Sequence, residues 1–214
     1  GFYTNTAAGQ DRLMTGNTFS NITHSGTGTI YCMEAIAANN NQVHDNVIHD
    51  VTGGGSIYCL YGGGVNAMIY NNRVYGVTST TTSTSAVYGA YSTTGTDVTW
   101  YNNFLSDLKA PDGTSTTAST YGFYITSGTN VNLYYNTVYL DYTAVASANR
   151  SAALYVSSTP ASVDMRDNIF VNNVDVTAGT LAMAFRKSST SYTNLSPNTN
   201  NNLYYAGVPS TTHL

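Results

Sequence analysis

One short pattern, apolar-x-x-Asn-x-apolar, recurs along this 214-residue chain at intervals near thirty residues, and it constrains the fold more than any other feature. It reads Met14-x-x-Asn17-x-Phe19, Val43-x-x-Asn46-x-Ile48, Ile69-x-x-Asn72-x-Val74, Trp100-x-x-Asn103-x-Leu105, Leu133-x-x-Asn136-x-Val138 and Met165-x-x-Asn168-x-Phe170. A weaker seventh copy centres on Asn202, with Thr199 in the first apolar place and Tyr204 in the last. Successive Asn are 29, 26, 31, 33, 32 and 34 residues apart, so one supersecondary unit repeats with insertions of variable length. Such a chain stacks as a solenoid and does not form a globule around one centre.

A second marker runs in phase with the first. Phe2-Tyr3, Ile30-Tyr31-Cys32, Ile57-Tyr58-Cys59, Val87-Tyr88-Gly89, Phe123-Tyr124-Ile125 and Leu154-Tyr155-Val156 each lie about fifteen residues upstream of an Asn. Both markers place apolar residues two apart, which is the period of a strand, so each repeat holds at least two short strands. If each repeat is one coil, equivalent positions stack about 4.8 Å apart and the strands pair in parallel along the axis. Residues three before and two after each Asn are apolar in all six strong copies and form inward columns. Two before it stand Thr15, His44, Tyr70, Tyr101, Tyr134 and Arg166, an outward column of polar-tipped side chains. The expected fold is all-β, a right-handed solenoid of parallel strands with six to seven coils, forming one domain over residues 1–214.

The columns define the candidate sites. Asn17, Asn46, Asn72, Asn103, Asn136 and Asn168 suit a corner, where Asn tolerates left-handed backbone and stacked amides bond as a ladder. Tyr31, Tyr58, Tyr88, Tyr124 and Tyr155 are expected in one outward file, and Tyr70, Tyr101 and Tyr134 in a second. Their rings can stack on sugar or on another protein, or on one another as a stabilising ladder. Cys32 and Cys59 hold the same place in consecutive coils, at a spacing compatible with a disulfide and equally with two buried thiols.

Charged residues make up only 8% of the chain, against about 25% in a typical soluble domain, so its surface bonds through hydroxyl and amide groups rather than charges. Seven Lys and Arg, scattered from Arg12 to Lys187, offer no stripe for a nucleic-acid backbone. No apolar run reaches membrane-spanning length. No signal peptide is visible, and the chain opens in phase at Gly1-Phe2-Tyr3, as a mature or trimmed piece of a longer exported protein would. Sequons occur at Asn21, Asn149 and Asn194, at a frequency expected from the composition.

No catalytic set emerges. His44, Asp45, His49 and Asp50 form the densest titratable cluster, but they occupy outward and corner positions. Asp45, Asp107 and Asp167 fall near equivalent corners, and Arg166 between Asp164 and Asp167 reads as a solvated ion pair. No metal site and no cofactor are expected. Insertions, the longest from Lys109 to Thr120, leave one edge of the coil and would build a single irregular face.

Segments such as Asn71-Asn72-Arg73-Val74, Asn102-Asn103-Phe104-Leu105 and Asn130-Val131-Asn132-Leu133-Tyr134-Tyr135-Asn136 carry a resemblance to the right-handed parallel β-helix repeat family over roughly residues 1–185. The chain is most similar to the Thr/Ser/Asn-rich versions in large bacterial cell-surface proteins exported by a type IX-like route, although the sorting domain of such proteins is absent from this sequence. The resemblance implies a three-faced coil at the cell surface or outside the cell. The Gly-His-Gly, Arg-x-Lys and Asp-rich calcium-groove motifs of pectin-degrading members are also absent. The leading expectation is a non-enzymatic extracellular spacer, adhesin, or lattice or filament subunit that self-associates end to end or side by side. The alternative is a module that binds or cleaves a polysaccharide along the tyrosine files and the loop face.

Overall fold

The strand alternation resolves into three strands per turn, because the segment around each repeated Asn is two strands meeting at a corner. The computed structural model describes the backbone of residues 2–4 and all of residues 11–176 and 179–214; Gly1, with which the in-phase opening begins, lies outside them. Among the described residues there is no helix, and every strand pairing is parallel. The chain is a β-solenoid of about six turns.

Each turn passes through three sheets in the same order. The tyrosine sheet stacks Phe2–Thr4, Ile30–Ala35, Ile57–Val65, Val87–Thr96, Thr120–Ile125, Arg150–Val156 and Leu181–Lys187. A second sheet stacks Arg12–Thr15, Asn41–His44, Met68–Tyr70, Val98–Tyr101, Asn130–Tyr134 and Ser162–Arg166. The third follows the Asn corner and stacks Thr18–His24, Val47–Gly53, Arg73–Ser79, Phe104–Ser106, Thr137–Leu140, Ile169–Asn172 and Leu203–Tyr205, with Leu108–Lys109 paired at its side.

Register places like residues over like. Met14, Val43, Ile69, Trp100, Leu133 and Met165 form one continuous buried row. Phe19, Ile48, Val74, Leu105, Val138 and Phe170 form a second. Volume is exchanged between columns: a Cβ built on Gly62 would lie 2.9 Å from the Trp100 ring, so the absence of a side chain there makes room for the largest one in the core.

At the Asn corner the positive φ falls on the residue before the Asn. Gly16, Asp45, Asn71, Asn102, Tyr135, Asp167 and Asn201 have φ between 52° and 68°, so the left-handed residue and the ladder residue are neighbours with separate tasks. Asp107 does not belong to this corner. It shares a bend within the third sheet with Asn21, Asp50 and Gly76, all at positive φ. The loops between third and tyrosine sheets do leave from one edge, but they fold back over the tyrosine sheet: Ala86 and Ala118 pack on Tyr121, Ala152, Tyr155 and Met183.

Candidate functional site

Three arrays repeat along the axis: a largely buried row of amides at the Asn corner, and rings facing outward on the tyrosine and second sheets. In the first, the side-chain amide of each Asn donates to the amide oxygen of the next, from Asn17 through Asn46, Asn72, Asn103, Asn136 and Asn168 to Asn202, at 2.7–3.0 Å. The same amide also reaches back one coil to a strand carbonyl, as Asn103 Nδ2 does to Ile69 O at 2.9 Å. Its oxygen accepts both the side chain and the backbone N–H of the preceding Asn, as in Asn72 N to Asn103 Oδ1 at 3.1 Å. These donors and acceptors are spent on one another, and Asn46, Asn72, Asn103, Asn136 and Asn168 are buried. These five rungs have no group left over for substrate or metal.

The tyrosine sheet carries two files where the sequence suggested one. Tyr31, Tyr58, Tyr88 and Tyr121 stack in register, and Tyr61, Tyr91, Tyr124 and Tyr155 form the other. The expected file that joined Tyr88 to Tyr124 is therefore wrong at that step. The cause is a bend: pairing runs Tyr58 to Tyr88 and then Leu60 to Ala90, stepping over Cys59 and Gly89, and two consecutive residues face inward. Tyrosines three apart, such as Tyr58 and Tyr61, then both face outward. Tyr61, Tyr91 and Tyr121 were missed, although Tyr58-Cys59-Leu60-Tyr61, Tyr88-Gly89-Ala90-Tyr91 and Tyr121-Gly122-Phe123-Tyr124 carried the signal.

The first file stacks face to face, with ring centroids 4.8 Å apart for Tyr31–Tyr58, 4.5 Å for Tyr58–Tyr88 and 5.0 Å for Tyr88–Tyr121, at interplanar angles of 10° or less. Tyr124 and Tyr155 are stacked at 4.6 Å in the second file. Along the first file each ring covers a face of the next, whereas in the second Tyr61 meets Tyr91 edge-on at 4.9 Å and Tyr91 lies tilted against Tyr124 at 5.0 Å. Burial pushes the Tyr58 and Tyr124 phenols up to about 12, and Tyr88 and Tyr121 further still. Exposure falls along the array from 40% at Tyr31 to 2% at Tyr121 and 7% at Tyr155, where the loops close over it. Arg150 and Arg186 fix that cover by donating to the carbonyls of Thr116 and Thr117.

On the second sheet Thr15, His44, Tyr70, Tyr101, Tyr134 and Arg166 share one register position. His44 stacks on Tyr70 at 4.5 Å and Tyr70 on Tyr101 at 4.6 Å, and the Arg166 guanidinium lies 5.5 Å from the Tyr134 ring. Burial first, then Asp164, raises the Tyr134 phenol. Asp164 is held by Arg166 at 2.5 Å and by Tyr134 Oη at 3.1 Å. The hydrogen bond from His44, at 2.7 Å, lowers the Asp45 carboxyl. His49 pairs with Asp50 at 2.9 Å and stacks on Tyr75. These carboxylates sit with nearby partners and do not converge in pairs.

Cys32 and Cys59 are free, buried thiols. A hydrogen bond with Cys32, then burial, pushes the Cys59 thiol up, which keeps it protonated and unreactive. Among the described residues no group of three or more His, Cys, Asp or Glu is placed to hold a metal ion, and no helix is long and apolar enough to cross a membrane. Comparison of the chain with protein-family models, with curated proteins and with solved structures returned no match.

Proposed function

We propose that this chain is a non-enzymatic solenoid that works at the cell surface or outside the cell, as a rigid spacer or as a subunit of a lattice or filament. The observation that carries this reading is the amide ladder running without a break from Asn17 to Asn202. A continuous ladder, buried at its five inner rungs, stiffens the coil along its axis, and stacked rings on two outer faces add to it. The low charge content suits a hydroxyl-rich environment. The pairing of Asp164 with Arg166 and Tyr134 supports a structural role for the group closest to a catalytic arrangement.

Incubation with a panel of polysaccharides, following reducing ends and unsaturated products, tests the non-enzymatic part. No turnover is expected; turnover that disappears in Asp164→Asn or Arg166→Gln would defeat it. Electron microscopy of the purified chain, with protease shaving of intact producing cells, tests the rest. Short rods or regular fibres and surface accessibility are the expected results.

A further inference from the structure

The second sheet has a rim distinct from its row of rings. Six positions before successive ladder asparagines stand Asp11, Asn40, Asn66, Asp97 and Asn130. They lie where the chain turns onto the second sheet, and φ is 48° at Asn40, 52° at Asn66 and 57° at Asp97. Asn40 Nδ2 donates to Asp11 Oδ1 at 2.8 Å, Asn66 Nδ2 to Asn40 Oδ1 at 3.3 Å, and Asn130 Nδ2 to Asp97 Oδ1 at 2.6 Å. Every bond in this file points the same way along the axis.

The file breaks between Asn66 and Asp97. The Asn66 amide oxygen should accept from the next residue in the series, but position 97 is a carboxylate and has no proton to give. Two acceptors therefore follow one another, about 4.8 Å apart by strand spacing, with no donor between them. Beside this break lies a groove of about 480 Å³. It is lined by Gln42, Met68 and Thr99 of the second-sheet strands and by the rim residues Asp11, Asn40, Asn66 and Asp97.

We propose that this groove binds a neutral polyhydroxylated chain, an oligosaccharide, with a hydroxyl donating into the gap between Asn66 and Asp97. A hydroxyl supplies the missing proton and also accepts from the Gln42 amide, and Met68, 38% exposed, offers apolar surface for the C–H face of a sugar ring. A calcium ion does not fit: it needs six to eight oxygens, and Asp11, the other carboxylate of the rim, is three coils from Asp97. Asp11 and Asp97 also disfavour an acidic saccharide. The rings of the second sheet are a poorer platform, since Tyr70 is covered by His44 and Tyr101 and Tyr134 carries the Arg166 guanidinium.

The proposal is tested by calorimetric titration of the full chain with cellohexaose and xylohexaose, with hexagalacturonate as the acidic control. Asp97→Asn is the decisive variant: its amide can donate to Asn66 while still accepting from Asn130, and Asn tolerates the left-handed backbone. It should fold with at least the parent's thermal stability and bind the neutral hexasaccharides about tenfold more weakly, the order of one charge-assisted hydrogen bond. Met68→Glu, which fills the groove from an exposed position, should abolish binding. The proposal is overturned if the parent binds neither neutral sugar at millimolar concentration, if it prefers hexagalacturonate, or if both variants bind as the parent does. Release of shorter products would instead defeat the non-enzymatic reading and leave this one standing.

Discussion

Asn103 and Asn17 belong to the same pattern in sequence and to different physical situations in the solenoid. Asn103 is buried, and its loss would orphan the Ile69 carbonyl and the donors of Asn72, each at about 1–3 kcal/mol. Asn103→Leu is therefore expected to destabilise the chain by at least about 3 kcal/mol in urea unfolding, whereas Asn17→Ala, at the exposed first rung, should cost under about 1 kcal/mol. Equal losses at both positions would contradict a ladder whose value comes from burial. The residue before the Asn supplies the left-handed turn, and composition shows this at Gly16, Asn71 and Asn102 but hides it at Tyr135, which has φ 56° and is exposed. Tyr135→Asn should raise stability by about 1 kcal/mol by removing that strain. Sequons show the limit of residue-level reading. Asn149 is buried with its amide on the carbonyls of Ala110 and Gly113, and Asn194 bonds Ser157 and Pro160, so both are loop clamps, and only Asn21 is exposed.

Single strands explain why Tyr61, Tyr91 and Tyr121, three of the eight tyrosines in the array, are not legible from strict alternation. Strict alternation assigns residues three apart to opposite faces, and the bend at Cys59, Gly89 and their equivalents reverses that assignment for Tyr61, Tyr91 and Tyr124. The second sheet has no such bend in its register, and strict alternation puts Thr15, His44, Tyr70, Tyr101, Tyr134 and Arg166 at one position of successive coils. The crowded array also has a pH signature. Tyr58 and Tyr124 titrate at about 12 in the folded chain against an ordinary 10.0, so the folded state holds protons that the unfolded state releases. Their contribution to stability is complete below pH 10 and is lost as pH rises through 10 toward 12. Unfolding midpoints should be flat from about pH 8 to 9.5 and fall steeply above it, and ultraviolet titration should show a late-ionising class of phenols. A Tyr58→Phe variant should flatten that fall.

Across the whole molecule, stability comes from stacked apolar columns, amide bonds and ring contacts, and charge has little part in it. Ion pairs join His44 to Asp45, His49 to Asp50, Lys109 to Asp107 and Arg166 to Asp164, each within two positions in sequence and largely at the surface. Pairs so close in sequence distinguish folded from unfolded chain only weakly. The thermal midpoint is expected to move by less than about 2 °C between roughly 0.05 and 0.5 M sodium chloride, and a larger drop would assign charge a role that the structure does not give it. By itself the sequence determined the thirty-residue period, the parallel stacking, the two inward rows and the existence of an Asn corner. Each of these follows from which residue types recur at fixed intervals, and parallel coils turn an interval along the chain directly into a neighbour in space. Only the tertiary structure decided which tyrosines share a file, which half of the array the Lys109–Thr120 loop seals, and where the rim ladder breaks. Those outcomes depend on a backbone bend and on loops folding over distant coils, and such long-range packing leaves no period in the sequence.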